Sequence, residues 1–415
     1  MSRIFLFCRV GFTVLILANL AFAFGSSQDD CLLCHGNPSP RESGEGRLSV
    51  DQGQYEGSVH GETGMACTDC HNDLEGVEDY PHLSPLNRVE CGACHDREAK
   101  DLSKSIHAVV SETGKDTADC ADCHGTHDIL KVSDPRSRMH PLHQPETCIR
   151  CHADIRIAEK YHIKGEEFIK QFKESVHGRA LTMAGLTITA VCSACHGSHL
   201  ILSHRDPQST VHRMMVPKTC GKCHAGIYID YVEGVHGEDY LQGNEDVPVC
   251  TDCHMEHNIK ASIHPESSVY TTHIAQLCSQ CHDDERISME YGLSSSRLKT
   301  FLGSYHGVAL KYGDVTVANC ASCHGYHNIR PSTDPKSSIH PSNIPETCGS
   351  CHPRAGINFA RGNVHDWAGK ESNIIAYYVR KFYIAFIVLL IGTFFIFILS
   401  DLFARFRKRF LEVKS

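Results

Sequence analysis

The sequence predicts a mostly α and irregular, elongated domain built along a repeat, followed by one C-terminal helix that crosses a membrane. Three observations carry this. A pentapeptide, C-x-x-C-H, recurs eleven times and holds 22 of the 23 cysteines. Its copies recur at constant spacing, and Phe382 to Ser400 is an uncharged apolar run near the C-terminus.

The pentapeptides are Cys31, Cys34 and His35; Cys67, Cys70 and His71; Cys91, Cys94 and His95; Cys120, Cys123 and His124; Cys148, Cys151 and His152; Cys192, Cys195 and His196; Cys220, Cys223 and His224; Cys250, Cys253 and His254; Cys278, Cys281 and His282; Cys320, Cys323 and His324; and Cys348, Cys351 and His352. Two thiols that add to the vinyl groups of haem, beside an imidazole placed to bind iron, require this pattern. Structural zinc takes two C-x-x-C pairs per ion, but eleven is odd and a histidine follows every pair. Disulfides need no histidine. Thioredoxin-type dithiols come one per βαβ domain, a pattern absent here. The sequence therefore predicts eleven covalently attached haem c groups.

Both chain ends agree with this chemistry. Residues 1–23 carry Arg3 and Arg9, an apolar stretch around Val14 to Leu17 and Ala21-Phe22-Ala23, which reads as a signal peptide that also contains Cys8. Residues 379–402 read as a transmembrane helix, since nineteen uncharged residues span about 28 Å. Arg405, Arg407, Lys408 and Arg409 make residues 403–415 a basic tail, expected on the cytoplasmic side. Residues 24–378 then form an extracytoplasmic domain.

Internal repetition organises that domain. Four long repeats open at Cys120, Cys192, Cys250 and Cys320, each with a second pentapeptide 28 positions on. D-P and P-x-T elements recur before the second site, as in Asp134-Pro135 and Pro145-Glu146-Thr147. A shorter repeat joins Cys67 to Cys91, and Cys31 stands alone. The expected boundaries are about 57–98, 104–155, 174–227, 233–285 and 303–355. Residues 155–173 and 283–301 are expected to be helical spacers.

A low-spin haem iron needs a sixth ligand beyond the motif histidine. Seven methionines lie outside the signal segment without relation to the repeat, whereas nineteen histidines lie outside the motifs. Bis-histidine ligation follows. Six histidines recur in S-x-H-like elements: His60, His107, His177, His236, His306 and His365. With His82 and the C-H-x-x-H residues His127, His199, His257 and His327 they make eleven, the favoured distal set. A rival set keeps His82 but uses His140, His212, His273 and His340, and loses regularity where Tyr270 stands in the third long repeat. His143, His162, His204 and His264 are left over, near propionates in this reading.

These S-V-H-G, C-x-x-C-H-G-x-H, D-P-x-S and P-x-T-C-x-x-C-H modules, over about residues 30–366, resemble the membrane-anchored multihaem c-type cytochromes of anaerobically respiring bacteria. The resemblance implies a single-pass protein of the bacterial cytoplasmic membrane, with its large domain in the periplasm. It implies electron transfer between the membrane quinone pool, or a b-type cytochrome or iron–sulfur membrane subunit, and periplasmic redox proteins. The chain's own membrane helix has no histidine, so haem b would belong to a separate subunit. The chain is also distantly similar to tetrahaem quinol dehydrogenases, from which it departs in anchor position and haem count. By sequence, the haem of His352 is the one nearest the membrane.

About 32 residues per haem over residues 24–378 are too few for a layered core, so the haem faces are expected to dominate it. The formal charge of −9, without the basic ends, makes the outer domain acidic. That argues against a nucleic-acid partner and suits basic redox partners. The alternative function is a multihaem reductase of a small nitrogen or sulfur oxyanion, acting at one open-coordination haem. The repeat containing Tyr270, with the haems of His254 and His282, is where such an iron is expected.

Overall fold

The computed structural model describes residues 28–36, 49–77, 81–82, 86–111, 118–293, 296–360, 365 and 374–412. The signal-peptide reading therefore lies outside the described residues. Among the described residues every regular element is a helix, most of them under ten residues long. The chain divides into two compact units, one ending at Thr147 and the other starting at Cys148.

The repeat signature has a local physical cause at each position. In Ser58-Val59-His60-Gly61 the serine side chain caps a new helix by accepting from the Gly61 amide at 3.0 Å. Ser175 and Ser304 do the same for Gly178 and Gly307. The histidine is thus the second residue of a helix. The glycine after it is forced by packing: a Cβ on Gly61, Gly178, Gly237 or Gly307 would overlap the carbonyl oxygen of Tyr55, Phe172, Tyr231 or Phe301, six residues earlier.

The first pentapeptide of each long repeat is its own five-residue helix, Cys120–His124, Cys192–His196, Cys250–His254 and Cys320–His324. Helical spacing puts residues i, i+3 and i+4 within an arc of about 100°, so both sulfurs and the imidazole share one face. The helix then stops at a residue with positive φ: Gly125 (92°), Gly197 (84°) and Gly325 (82°). In the third long repeat Met255 takes this role at φ 66°, ψ −178°, a region populated essentially by glycine alone.

The D-P-x-S element is a buried turn. The hydroxyls of Ser137, Ser209, Ser267 and Ser337 donate to the carbonyls of Leu130, Leu202, Lys260 and Arg330. Asp134, Asp206 and Asp334 accept from the amides two residues on, each at 2.8 Å. His264 occupies this place in the third long repeat, where its Nδ1 accepts from the Glu266 amide at 3.2 Å. This leftover histidine thus stands in for a turn aspartate.

Successive repeats interlock through the start of the S-x-H helix. In the first unit the Val59 amide donates to the Ile129 carbonyl at 2.8 Å. In the second, Val176 donates to Ile259 and Val235 to Ile329, both at 2.8 Å. Ion pairs flank these junctions: Lys260 with Glu174 at 3.7 Å, and Arg330, largely buried, with Glu233 at 3.1 Å.

Apolar clusters are small. One gathers Val216, Tyr231, Tyr240, Val247 and Val249, the other Ala275, Phe301 and Leu310. The two expected spacer helices are each broken. Ile155–Tyr161 ends at His162, left-handed at φ 54°, before Gly165–Glu174 begins. Glu285–Glu290 is separated from Arg297–Leu302 by a stretch containing Gly292 at φ 64°.

The C-terminal helix runs Ile374–Glu412, with a mean hydropathy of 2.9 in its most apolar window and no burial against the rest of the chain. It is consistent with single-pass anchoring. The basic stretch expected as a separate tail continues this helix as far as Glu412, since Phe, Arg, Lys and Leu propagate helix and neither Gly nor Pro interrupts it.

Candidate haem-binding array

Nine motif imidazoles each face an imidazole from outside the motifs. Five face a histidine downstream: His35 and His82 (6.0 Å between ring centres), His71 and His127 (6.3 Å), His196 and His257 (6.1 Å), His254 and His327 (6.1 Å), and His324 and His365 (6.3 Å). Four face one upstream: His95 and His60 (6.1 Å), His224 and His177 (6.3 Å), His282 and His236 (6.2 Å), and His352 and His306 (6.0 Å). Two imidazoles on opposite sides of one metal, with bonds of about 2 Å and each nitrogen about 1.1 Å from its ring centre, would sit about 6.3 Å apart. The residues present therefore fit an iron with two axial histidines. Among the described residues no three His, Cys, Asp or Glu side chains converge as a metal cage.

The two groups differ in ring orientation. Four downstream pairs are near-parallel, at 17°, 27°, 8° and 27° between planes, and the fifth, His324 with His365, is at 47°. The upstream pairs are all tilted, at 62°, 48°, 63° and 45°. The upstream histidine comes from a helix start, whereas most downstream ones leave the extended turn after a pentapeptide helix. Backbone at the two origins aims the ring differently.

The other predicted residues occupy matching local positions. His107 is the second residue of helix Ile106–Ser111, His124 and His152 end helices, and His199 follows helix Cys192–His196.

The rival distal histidines behave otherwise. Nδ1 of His140, His212 and His340 accepts from the amides of Leu142, Met214 and Ser342 at 3.2–3.4 Å. A neutral ring that accepts at Nδ1 carries its proton on Nε2, which removes the lone pair needed for a metal. His140 does lie 6.3 Å from His143, but both belong to one turn, and the His143 Nε2 bonds the Pro135 carbonyl at 2.9 Å. His273 bonds the Ser267 carbonyl at 2.8 Å and packs on Tyr270 at 5.8 Å. These residues close the turn ahead of the second pentapeptide.

Burial favours the neutral, ligating form of several facing imidazoles. The His236 pKa falls to about 4, chiefly by desolvation and then by the adjacent His282. Desolvation likewise lowers His196, His254, His282 and His324.

The cysteines of consecutive motifs meet. Thiols that lie beside one another are Cys31 with Cys67 and Cys91 with Cys120 in the first unit. In the second they are Cys148 with Cys192, Cys220 with Cys250, and Cys278 with Cys320. Within repeats, Cys70 neighbours Cys91, Cys195 neighbours Cys220, Cys253 neighbours Cys281, and Cys323 neighbours Cys348. Within each unit the attachment points thus follow one another in chain order, and groups bound there would have adjacent edges. Among the described residues no cysteine is in a disulfide.

Sequence reasoning listed the histidines but not their directions. His365 was grouped with the S-x-H elements, yet it faces His324 as a downstream partner; the absence of any haem site after it was the available signal.

Residues 53–125 match the family model described as cytochrome c7 and related cytochrome c. No curated protein and no solved structure matches the chain. The family match supports a multihaem c-type cytochrome with covalently bound haem c and a role in electron transfer.

Proposed function

We propose that the chain is a membrane-anchored electron conduit carrying eleven haem c groups, each with two histidine ligands. It relays electrons between the membrane quinone pool, or a membrane partner subunit, and periplasmic acceptors during anaerobic respiration. The observation that carries this reading is the set of nine imidazole pairs at axial-ligand spacing, each joining a motif histidine to one outside the motifs. Haem bound there supplies a reversible one-electron centre.

In this reading the paired cysteines would hold each macrocycle, and the motif and distal histidines would both ligate its iron, leaving no position open to a substrate. His107, His124, His152 and His199 complete the set by their place in the repeat. The contacts between cysteines of consecutive motifs support transfer in chain order. The helix Ile374–Glu412 supports a membrane end, with the array outside and the basic end inside.

The reductase alternative located its open iron at His254 or His282. Each of these has an imidazole partner, His327 and His236, so the geometry favours the conduit.

The test is stopped-flow reduction of the full-length protein in liposomes by a quinol, with and without its membrane partner, followed by reoxidation with a soluble redox protein. Fast haem reduction and reoxidation are expected, with no turnover of nitrite, hydroxylamine or tetrathionate. Turnover of one of these oxyanions or amines, or haems inert to both quinol and partner, would reject the reading.

A further inference from the structure

The last downstream pair departs from its class, and one buried hydroxyl lies against its outer ring. His324 and His365 are tilted by 47°, against 8–27° in the other four downstream pairs. His365, like His82, does not leave the turn after a pentapeptide helix, and no described helix contains it. Its ring is held instead by helix Arg297–Leu302. Thr300 Oγ1, on a residue only 4% exposed, lies 3.2 Å from His365 Nδ1, and the ring also bonds the backbone of Arg297.

The proton count at Thr300 fixes the roles. Its hydroxyl has one hydrogen, and two carbonyls of its own helix, Ser296 and Arg297, each lie 2.9 Å away to take it. With that hydrogen given to its own helix, the oxygen accepts from His365, and Nδ1 then carries the proton. The lone pair is then on Nε2, the ring nitrogen that a metal would take. The same bond sets the plane of the ring.

We propose that Thr300 is a positioning residue, fixing both the tautomer and the plane of His365 as sixth ligand to the haem held by Cys320, Cys323 and His324. The inference rests on the bis-histidine reading above. It makes this haem, and not that of His352, the one whose ligation depends on the segment leading to the membrane helix. His365 is nine residues before Ile374, so the covalent chain holds it within about 30 Å of that helix.

The plane matters because each imidazole donates π density into the iron d orbital perpendicular to its ring. Parallel rings load one orbital and split the pair; crossed rings load both and leave them close in energy. Low-temperature EPR reads that splitting directly.

The experiment compares Thr300→Val, Thr300→Ser and His365→Met in the full-length oxidised protein, each with a pyridine haemochrome haem count as the check on assembly. Valine keeps the shape and removes the acceptor. The expected result is a change confined to one haem in Thr300→Val: its low-spin signal leaves the tilted-plane class, and cyanide binds that iron about 10- to 100-fold more readily. Thr300→Ser keeps the wild-type spectrum. His365→Met converts the same haem to a histidine–methionine site.

An unchanged Thr300→Val spectrum, or the same change in valine and serine variants, overturns the role of the hydroxyl. A His365→Met protein with all haems unaltered overturns the ligand assignment. Failure of the underlying reading is separable, since it would appear in the wild type as a haem count below eleven or as a high-spin iron before any substitution.

Discussion

Histidines in the downstream pairs and those in the upstream pairs face equivalent pentapeptides at the same distance, yet they do different structural work. Upstream partners such as His177 and His306 belong to the same repeat as the site they face and are fixed by a capped helix start and a close-packed glycine. Downstream partners such as His257 and His327 belong to the following repeat. One kind of closure is internal to a repeat, and the other ties two repeats together. Within each unit this couples neighbouring repeats as in a solenoid, and His365 faces the first pentapeptide of the last repeat.

The largest test of this difference moves a signal between repeats. His327→Met is expected to raise the midpoint potential of one haem, by on the order of 0.1 V, and that haem should be the one attached to Cys250 and Cys253 in the preceding repeat. His306→Met should act on the haem of Cys348 and Cys351, within its own repeat. Redox titration with single-haem assignment by NMR checks both, and a change at the haem of Cys320 and Cys323 in the His327 variant would break the comparison.

The glycine that supports upstream closure comes next in size. Gly178→Ala forces a Cβ into the Phe172 carbonyl and should destabilise by about 1–3 kcal/mol. Gly226→Ala, where no heavy atom lies within 4 Å of the added carbon, should be neutral or stabilising by up to about 1 kcal/mol. Thermal unfolding of the two variants separates packing from propensity.

Met255 sharpens the downstream side. It holds a backbone conformation that its counterparts reach with glycine, so Met255→Gly should stabilise by about 1–3 kcal/mol without altering the haem spectrum. A lower Tm in that variant would mean that the methionine side chain, half exposed, makes a contact worth more than the strain.

The smallest effect is expected from the turn histidines. His340→Ala removes an acceptor for the Ser342 amide, at a cost of about 0.5–1.5 kcal/mol, and should leave every haem signal in place. Loss of a low-spin haem in this variant would revive the rival ligand set.

Much of this was legible from spacing alone. The constant 28-residue interval is matched by local structure that recurs at the same places, and the surplus of histidines over methionines pointed to the imidazoles that face the motif histidines. Tyr270 looked like a weakness of the third long repeat and His264 like a leftover, but both stand at turn positions where another residue can serve. Which imidazole faces which was not legible, because it depends on the chain reversal after each pentapeptide, where Gly125, Gly197, Met255 and Gly325 turn the following histidine away from its own site. The broken spacer helices were missed for a related reason. His162 is an ordinary residue by composition, and only its left-handed conformation ends the helix.

The most direct test of the central claim is low-temperature EPR of the oxidised full-length protein, integrated against its pyridine haemochrome count. The account predicts eleven irons, all low-spin and inert to nitrite, divided between a rhombic class from near-parallel rings and a large-anisotropy class from tilted ones. A high-spin iron that binds an added ligand, or a count short of eleven, would contradict it.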